Sequence, residues 1–184
     1  MSPDDGHRPR DAAGIVFRYV LEHRAATTPD RVFATFPDDR TEWTWAQADE
    51  AANRLASVLA AHGVGRGDRV AVLSDNGASM VQTLLGTTKL GAVFVPFNTG
   101  WKADQIRHAF DVARPSVFLC QARYADRVSG VEPGDGLPAL VIVSDTDAQD
   151  TDSRVAELAS LGVLADLTGS ASPARPADPG IDVW

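Results

Sequence analysis

Arg69-Val70-Ala71-Val72-Leu73, then Ala78 to Leu90, then Ala92-Val93-Phe94-Val95-Pro96 is the stretch whose reading decides the fold. The first and last segments are unbroken apolar runs of strand length, without the polar alternation of a half-exposed strand. Such runs predict strands buried on both faces, as in a parallel sheet. Between them, Met80, Leu84 and Leu85 fall at helical spacing as the inward face, and Gly91 closes the helix.

Toward the C-terminus the rhythm repeats. Ala103 to Val112 reads as a helix, Ser116-Val117-Phe118-Leu119 as a third strand, Leu140-Val141-Ile142-Val143 as a fourth, and Ser153 to Leu161 as a short helix. Toward the N-terminus, Thr44 and Gln47 form a capping box, in which each side chain satisfies a backbone N–H left free at the helix start. Ala48, Ala51, Ala52, Leu55, Val58 and Leu59 continue that helix as an apolar stripe, which ends at His62-Gly63. Val32 to Phe36 and Glu42 to Trp45 predict a hairpin around Pro37-Asp38-Asp39, with Trp43 and Trp45 in the core. Ile15 to Ala26 predicts a leading helix with Val16, Phe17, Val20 and Leu21 at helical spacing. Alternating strands and helices predict the α/β class, with an open, mostly parallel sheet flanked by helices. No internal repeat is present.

The 184 residues suffice for one domain of ordinary size or a little more, and 44% apolar with 23% charged residues argues against wholesale disorder. No apolar run approaches the ~20 residues of a transmembrane segment. The polar opening Met1 to Arg10 does not read as a secretory signal, and the single Cys120 excludes an internal disulfide framework, so the expected location is cytoplasmic. Net charge is −8, and residues 133–184 hold nine of the 25 acids but two of the 17 bases. An almost neutral body with an acidic tail repels phosphate backbones, so nucleic acid is not an expected partner.

Several tempting motifs read better as structure. Gly63-Val64-Gly65-Arg66-Gly67 closes a helix and opens a strand, the reverse of a phosphate-binding loop, and Asp68 adds negative charge beside it. His7, His23, His62 and His108 are scattered, without metal-site spacing, and Cys120 reads as a small buried side chain. Ser74-Asp75-Asn76-Gly77 and Asn98-Thr99-Gly100-Trp101-Lys102 follow the carboxyl ends of two strands, the edge where α/β sheets gather ligands. Both also serve as turns and helix caps, which is the first reading of each. The residues alone show no lysine-bearing phosphate loop, nucleophile elbow or paired-acid motif.

The order of several segments resembles the start of the adenylate-forming ligases, the superfamily of acyl-CoA synthetases, peptide-synthetase adenylation domains and luciferases. Thr44-Trp45-Ala46-Gln47 through Ala51-Ala52-Asn53-Arg54-Leu55-Ala56 is similar to its T-aromatic-x-E-L…A-N-R-L-A helix. His62 to Ala71 is similar to its G-V-x-x-G-D-R-V-A turn and strand, and Gly86 to Asn98 to its G-x-x-K-x-G-A-V-x-V-P-x-N segment. The resemblance covers about residues 15 to 145. Phe97 to Lys102 with Ile106-Arg107-His108 looks most like acid–CoA ligases of the carnitine/crotonobetaine and fatty-acid type. Lys102 departs from the Ser or Thr helix cap of many relatives, which weakens the start of that helix, and Arg114-Pro115 replaces a small-residue and lysine pair.

The resemblance implies a two-step reaction. A carboxylate attacks the α-phosphate of ATP, with Mg²⁺ assisting, to give an acyl-adenylate and pyrophosphate; a thiol, usually that of CoA, then displaces AMP. It implies a carboxylic acid and CoA as partners of the complete enzyme. The family keeps its phosphate loop, its adenine and Mg²⁺ segment, its ribose-binding aspartate and its catalytic lysine downstream of this region. No catalytic, cofactor-binding or metal-binding residue is therefore carried over, and no cofactor is expected on this chain alone. The expected organisation is a disordered or loosely packed N-terminus over 1–14 and an incomplete N-terminal portion of the ligase large domain over 15–167. A Ser/Ala/Pro-rich linker over 168–184 would then lead to a missing phosphate-loop strand. The chain by itself is expected to be inactive and to associate through exposed apolar surface. The alternative is a non-catalytic α/β binding or interaction module derived from the ligase fold. A flavodoxin-like nucleotide binder is disfavoured, because neither carboxyl-end loop has a phosphate-cradling glycine pattern.

Overall fold

The computed structural model describes residues 17–38, 40–128 and 140–144. The expected terminal segment 1–14, the linker 168–184 and the helix over 153–161 lie outside the described residues.

The chain begins with α1 (Phe17–Thr27), then a hairpin of β1 (Val32–Phe36) and β2 (Thr41–Thr44). The hairpin strands are antiparallel, with Phe36 opposite Thr41. Next come α2 (Trp45–Ala61), β3 (Arg69–Leu73), α3 (Ala78–Lys89), β4 (Val93–Pro96), α4 (Ala103–Ala113) and β5 (Val117–Gln121). A 3₁₀ turn at Ala122–Tyr124 leads into the one-turn helix α5 (Ala125–Val128), and β6 (Leu140–Ser144) follows.

β3 to β6 form one sheet in the order β4-β3-β5-β6, every pair parallel. The strand period of two sorts its core into two clusters. Ala71, Leu73, Phe118 and Cys120 face Phe97, Ile106 and Phe110 on the α4 side. Val70, Val72, Val117 and Leu119 face Leu55, Ala56 and Leu59 of α2 on the other side. The rings of Phe97 and Phe118 both pack against Phe110, with centroids 5.2 and 4.9 Å away, in edge-on contacts that suit the ring quadrupoles.

A third cluster, Leu21, Ala48, Ala52 and Leu85, joins α1, α2 and α3, with Phe33, Trp43 and Trp45 half-buried against it. The two tryptophans thus flank the core and do not fill it.

The local signals at helix ends hold. Thr44 Oγ1 accepts from the Gln47 N–H at 3.3 Å, and Gln47 Oε1 accepts from the Thr44 N–H at 2.8 Å. Gly63 and Gly67 take φ of +80° and +82°, a region that a Cβ disfavours, so this glycine run is cap and turn. At α4 half a capping box forms: Gln105 Oε1 accepts from the Lys102 N–H at 3.0 Å, while an ammonium has no acceptor to return.

Three expectations about inward faces need correction. In α1 the buried partner of Leu21 is Arg18, while Phe17 is exposed. In α3, Thr83, Leu85, Thr87 and Lys89 are buried, and Met80 and Leu84 are half-buried. β4 is not buried on both faces: among the described residues it is the edge of the sheet, and Val93 is 47% exposed.

One cause underlies the first two corrections. Lys89 and Arg18 are both fully buried, and Lys89 Nζ lies 2.9 Å from Glu22 Oε1 and 2.5 Å from Asp49 Oδ1. Arg18 Nε donates to Glu22 Oε1 at 3.0 Å, and its Nη1 donates to the Lys89 carbonyl at 2.6 Å. Two cations and two carboxylates therefore close one charge-balanced knot between α1, α2 and the end of α3. Replacing Lys89 with Met keeps most of the volume but strips Glu22 and Asp49 of a buried partner. The expected loss is about 3–5 kcal/mol, read by urea unfolding.

Gly86 carries a separate constraint. A Cβ there would sit 2.8 Å from Leu55 Cβ, so the glycine lets α2 and α3 approach closely. Gly→Ala in a free helix would stabilise by about 1 kcal/mol. Here overpacking reverses the sign, and Gly86→Ala is expected to destabilise by about 1–3 kcal/mol; a raised melting temperature would refute the close approach.

Candidate functional site

The sheet order places a reversal between β3 and β5. From β3 the chain crosses to β4 on one side, then returns over β3 to β5 on the other. The connections therefore diverge at the carboxyl ends of β3 and β5, the topological switch point that serves open α/β sheets as their ligand crevice.

Both walls of the crevice come from loops that the strands aim. Ser74 and Asp75 leave β3, and Gln121, Arg123 and Tyr124 leave β5. Gln121 Oε1 accepts from the Asp75 N–H at 3.1 Å, and Ser74 Oγ, on a buried residue, lies 3.5 Å from the same oxygen. One amide thus ties the two strand ends together. Asp75 extends one carboxylate oxygen to Arg123 Nη1 and the other to the Tyr124 hydroxyl. The Arg123 and Arg127 guanidiniums lie 5.8 and 5.1 Å from the Tyr124 ring centroid, and Arg127 also donates to the Thr99 carbonyl. The loop after β4 is drawn in by that last contact.

Accepting the tyrosine's proton donation, the Asp75 carboxylate raises the Tyr124 pKa above the ordinary phenol range, with burial adding to it. The strand ends thus gather hydrogen-bond donors, one committed carboxylate and two guanidiniums, bonded chiefly to one another. Among the described residues no three side chains of the His, Cys, Asp and Glu types gather as a metal site, so no Mg²⁺ step is assigned to them.

The other sequence candidates fall as follows. Ser74-Asp75 reaches the crevice. Asn98 shapes a turn, its Oδ1 accepting from the Gly100 N–H at 2.7 Å and its carbonyl from the Trp101 N–H at 3.0 Å. Asp68 Oδ2 accepts from the Gly65 N–H at 2.8 Å, which fills the donor a phosphate would need. His62 caps α2. Cys120 is fully buried, which pushes its thiol up to about 12 and leaves it unreactive at neutral pH.

Gln121, Arg123, Tyr124 and Arg127 were not anticipated from sequence. The signal that finds them is the carboxyl-end rule applied to β5 as it was to β3 and β4.

The family model for AMP-binding enzyme matches residues 21–179. A medium/long-chain-fatty-acid–CoA/3-oxocholest-4-en-26-oate–CoA ligase of Mycobacterium marinum is 33% identical over 132 residues, covering 71% of this chain and 24% of that ligase. The 3-oxocholest-4-en-26-oate–CoA ligase of Rhodococcus rhodochrous is 32% identical, covering 72% of this chain and 23% of that ligase. The solved N-terminal domain of FACL13 from Mycobacterium tuberculosis superposes with a TM-score of 0.68 at 29% identity, over 87% of this chain and 37% of that structure. A fatty acyl CoA synthetase of the same organism gives 0.68 at 27% identity, over 88% and 29%. The chain thus spans about a quarter of the length of the curated relatives it matches.

Asp75→Asn is expected to lower the Tyr124 pKa toward the ordinary range. A tyrosinate absorbance titration in a Tyr19→Phe background, which leaves Tyr124 alone, reads it directly. The sign for stability follows from the raised folded-state value: the bond contributes below the ordinary phenol pKa of about 10 and is lost as pH rises through the folded one.

Proposed function

The chain belongs to the AMP-binding enzyme family, and from that premise we propose that it forms the N-terminal portion of an ATP-dependent acid–CoA ligase. The complete ligase joins a carboxylate to ATP, giving an acyl-adenylate and pyrophosphate, and then passes the acyl group to the thiol of CoA. The observation that carries this reading is the family match across residues 21–179, on a chain whose parallel sheet superposes on ligase N-terminal domains.

The substrate class we propose is an apolar carboxylic acid of the fatty-acid or steroid-acid kind, by analogy with the ligases it resembles. The reaction is assigned to the cytosol, and no helix of the described residues is long and apolar enough to cross a membrane.

Within that enzyme, these residues contribute scaffold and one wall of a binding crevice. The rim guanidiniums of Arg123 and Arg127 suit the anionic groups that acid, ATP and CoA bring, because a guanidinium keeps its charge and offers a fork of donors. The Asp75–Gln121 link holds the wall in place. Mg²⁺, when bound, would neutralise phosphate charge. We assign its ligands, the phosphate grip and the catalytic lysine to parts of the ligase that this chain does not span, and no described residue to bond-making.

The test is ATP–pyrophosphate exchange with medium- and long-chain acids. The 184-residue chain alone is expected to give none, and the chain joined with the remainder of a matching ligase is expected to restore it. Exchange by the chain alone would overturn the division of labour. Failure of every joined form to exchange would favour a non-catalytic module.

A further inference from the structure

We draw no further inference here: the strongest candidate, the acidic groove between α1 and α2 lined by Glu22, Asp49, Glu50 and Asn53, carries nothing, because its carboxylates are already matched by Lys89, Arg18 and Arg54, and the buried, unpartnered Oδ1 of Asn53 belongs to an amide whose Nδ2 is held by Asp49, so nothing in the structure points to a ligand there.

Discussion

No tight turn can close a parallel pair, so each strand of the main sheet must be followed by a segment long enough to travel back to the starting edge. That single constraint orders the molecule. It makes α3 and α4 crossovers and puts them on opposite faces once the direction of travel reverses after β4. It also opens the crevice between the β3 and β5 ends. The aromatic packing of Phe97, Phe110 and Phe118 is the local expression of the same rule: the ring of a crossover helix meets rings at the end of one strand and within another.

The Lys89 knot solves a different problem. α1 shares no strand with the main sheet, so strand pairing does not fix how it docks on α2 and α3. Apolar contact through Leu21 and Leu85 brings these parts together without direction. The directional component comes from Lys89 and Arg18, each desolvated and each satisfied by partners on another element or turn. Such a knot contributes modest net stability but strongly disfavours alternative dockings, because any other arrangement strands a buried charge.

Site and scaffold divide their labour in the same way. The crevice is built by loops that diverge from rigid strand ends, and its polar groups are largely spent on one another: Gln121 on Asp75, Asp75 on Arg123 and Tyr124, Arg127 on Thr99. This preorganises a wall. Making bonds to phosphorus asks for groups held ready for the reacting atoms, and the described side chains are held ready for each other.

Residue pattern alone determined the order of the elements from α1 to β6 apart from the short turns of Ala122–Val128, the parallel class of the sheet, the Thr44–Gln47 cap and the turn role of Gly63 to Gly67. Each of these depends on neighbours in the chain or on a period of two or three to four residues, and such signals survive without knowledge of what packs where. The tertiary structure decided which face of α1 and α3 points inward, because Lys89 becomes burial-competent only when Glu22 of α1 and Asp49 of α2 reach it, and Arg18 only when the Lys89 carbonyl of α3 does. It decided that β4 is an edge among the described strands, since an apolar run reads the same whether one neighbour or two will pair with it. It also assembled Asp75 with Gln121, Arg123 and Tyr124, residues more than forty positions apart, whose meeting depends on strand order, which no local spacing encodes.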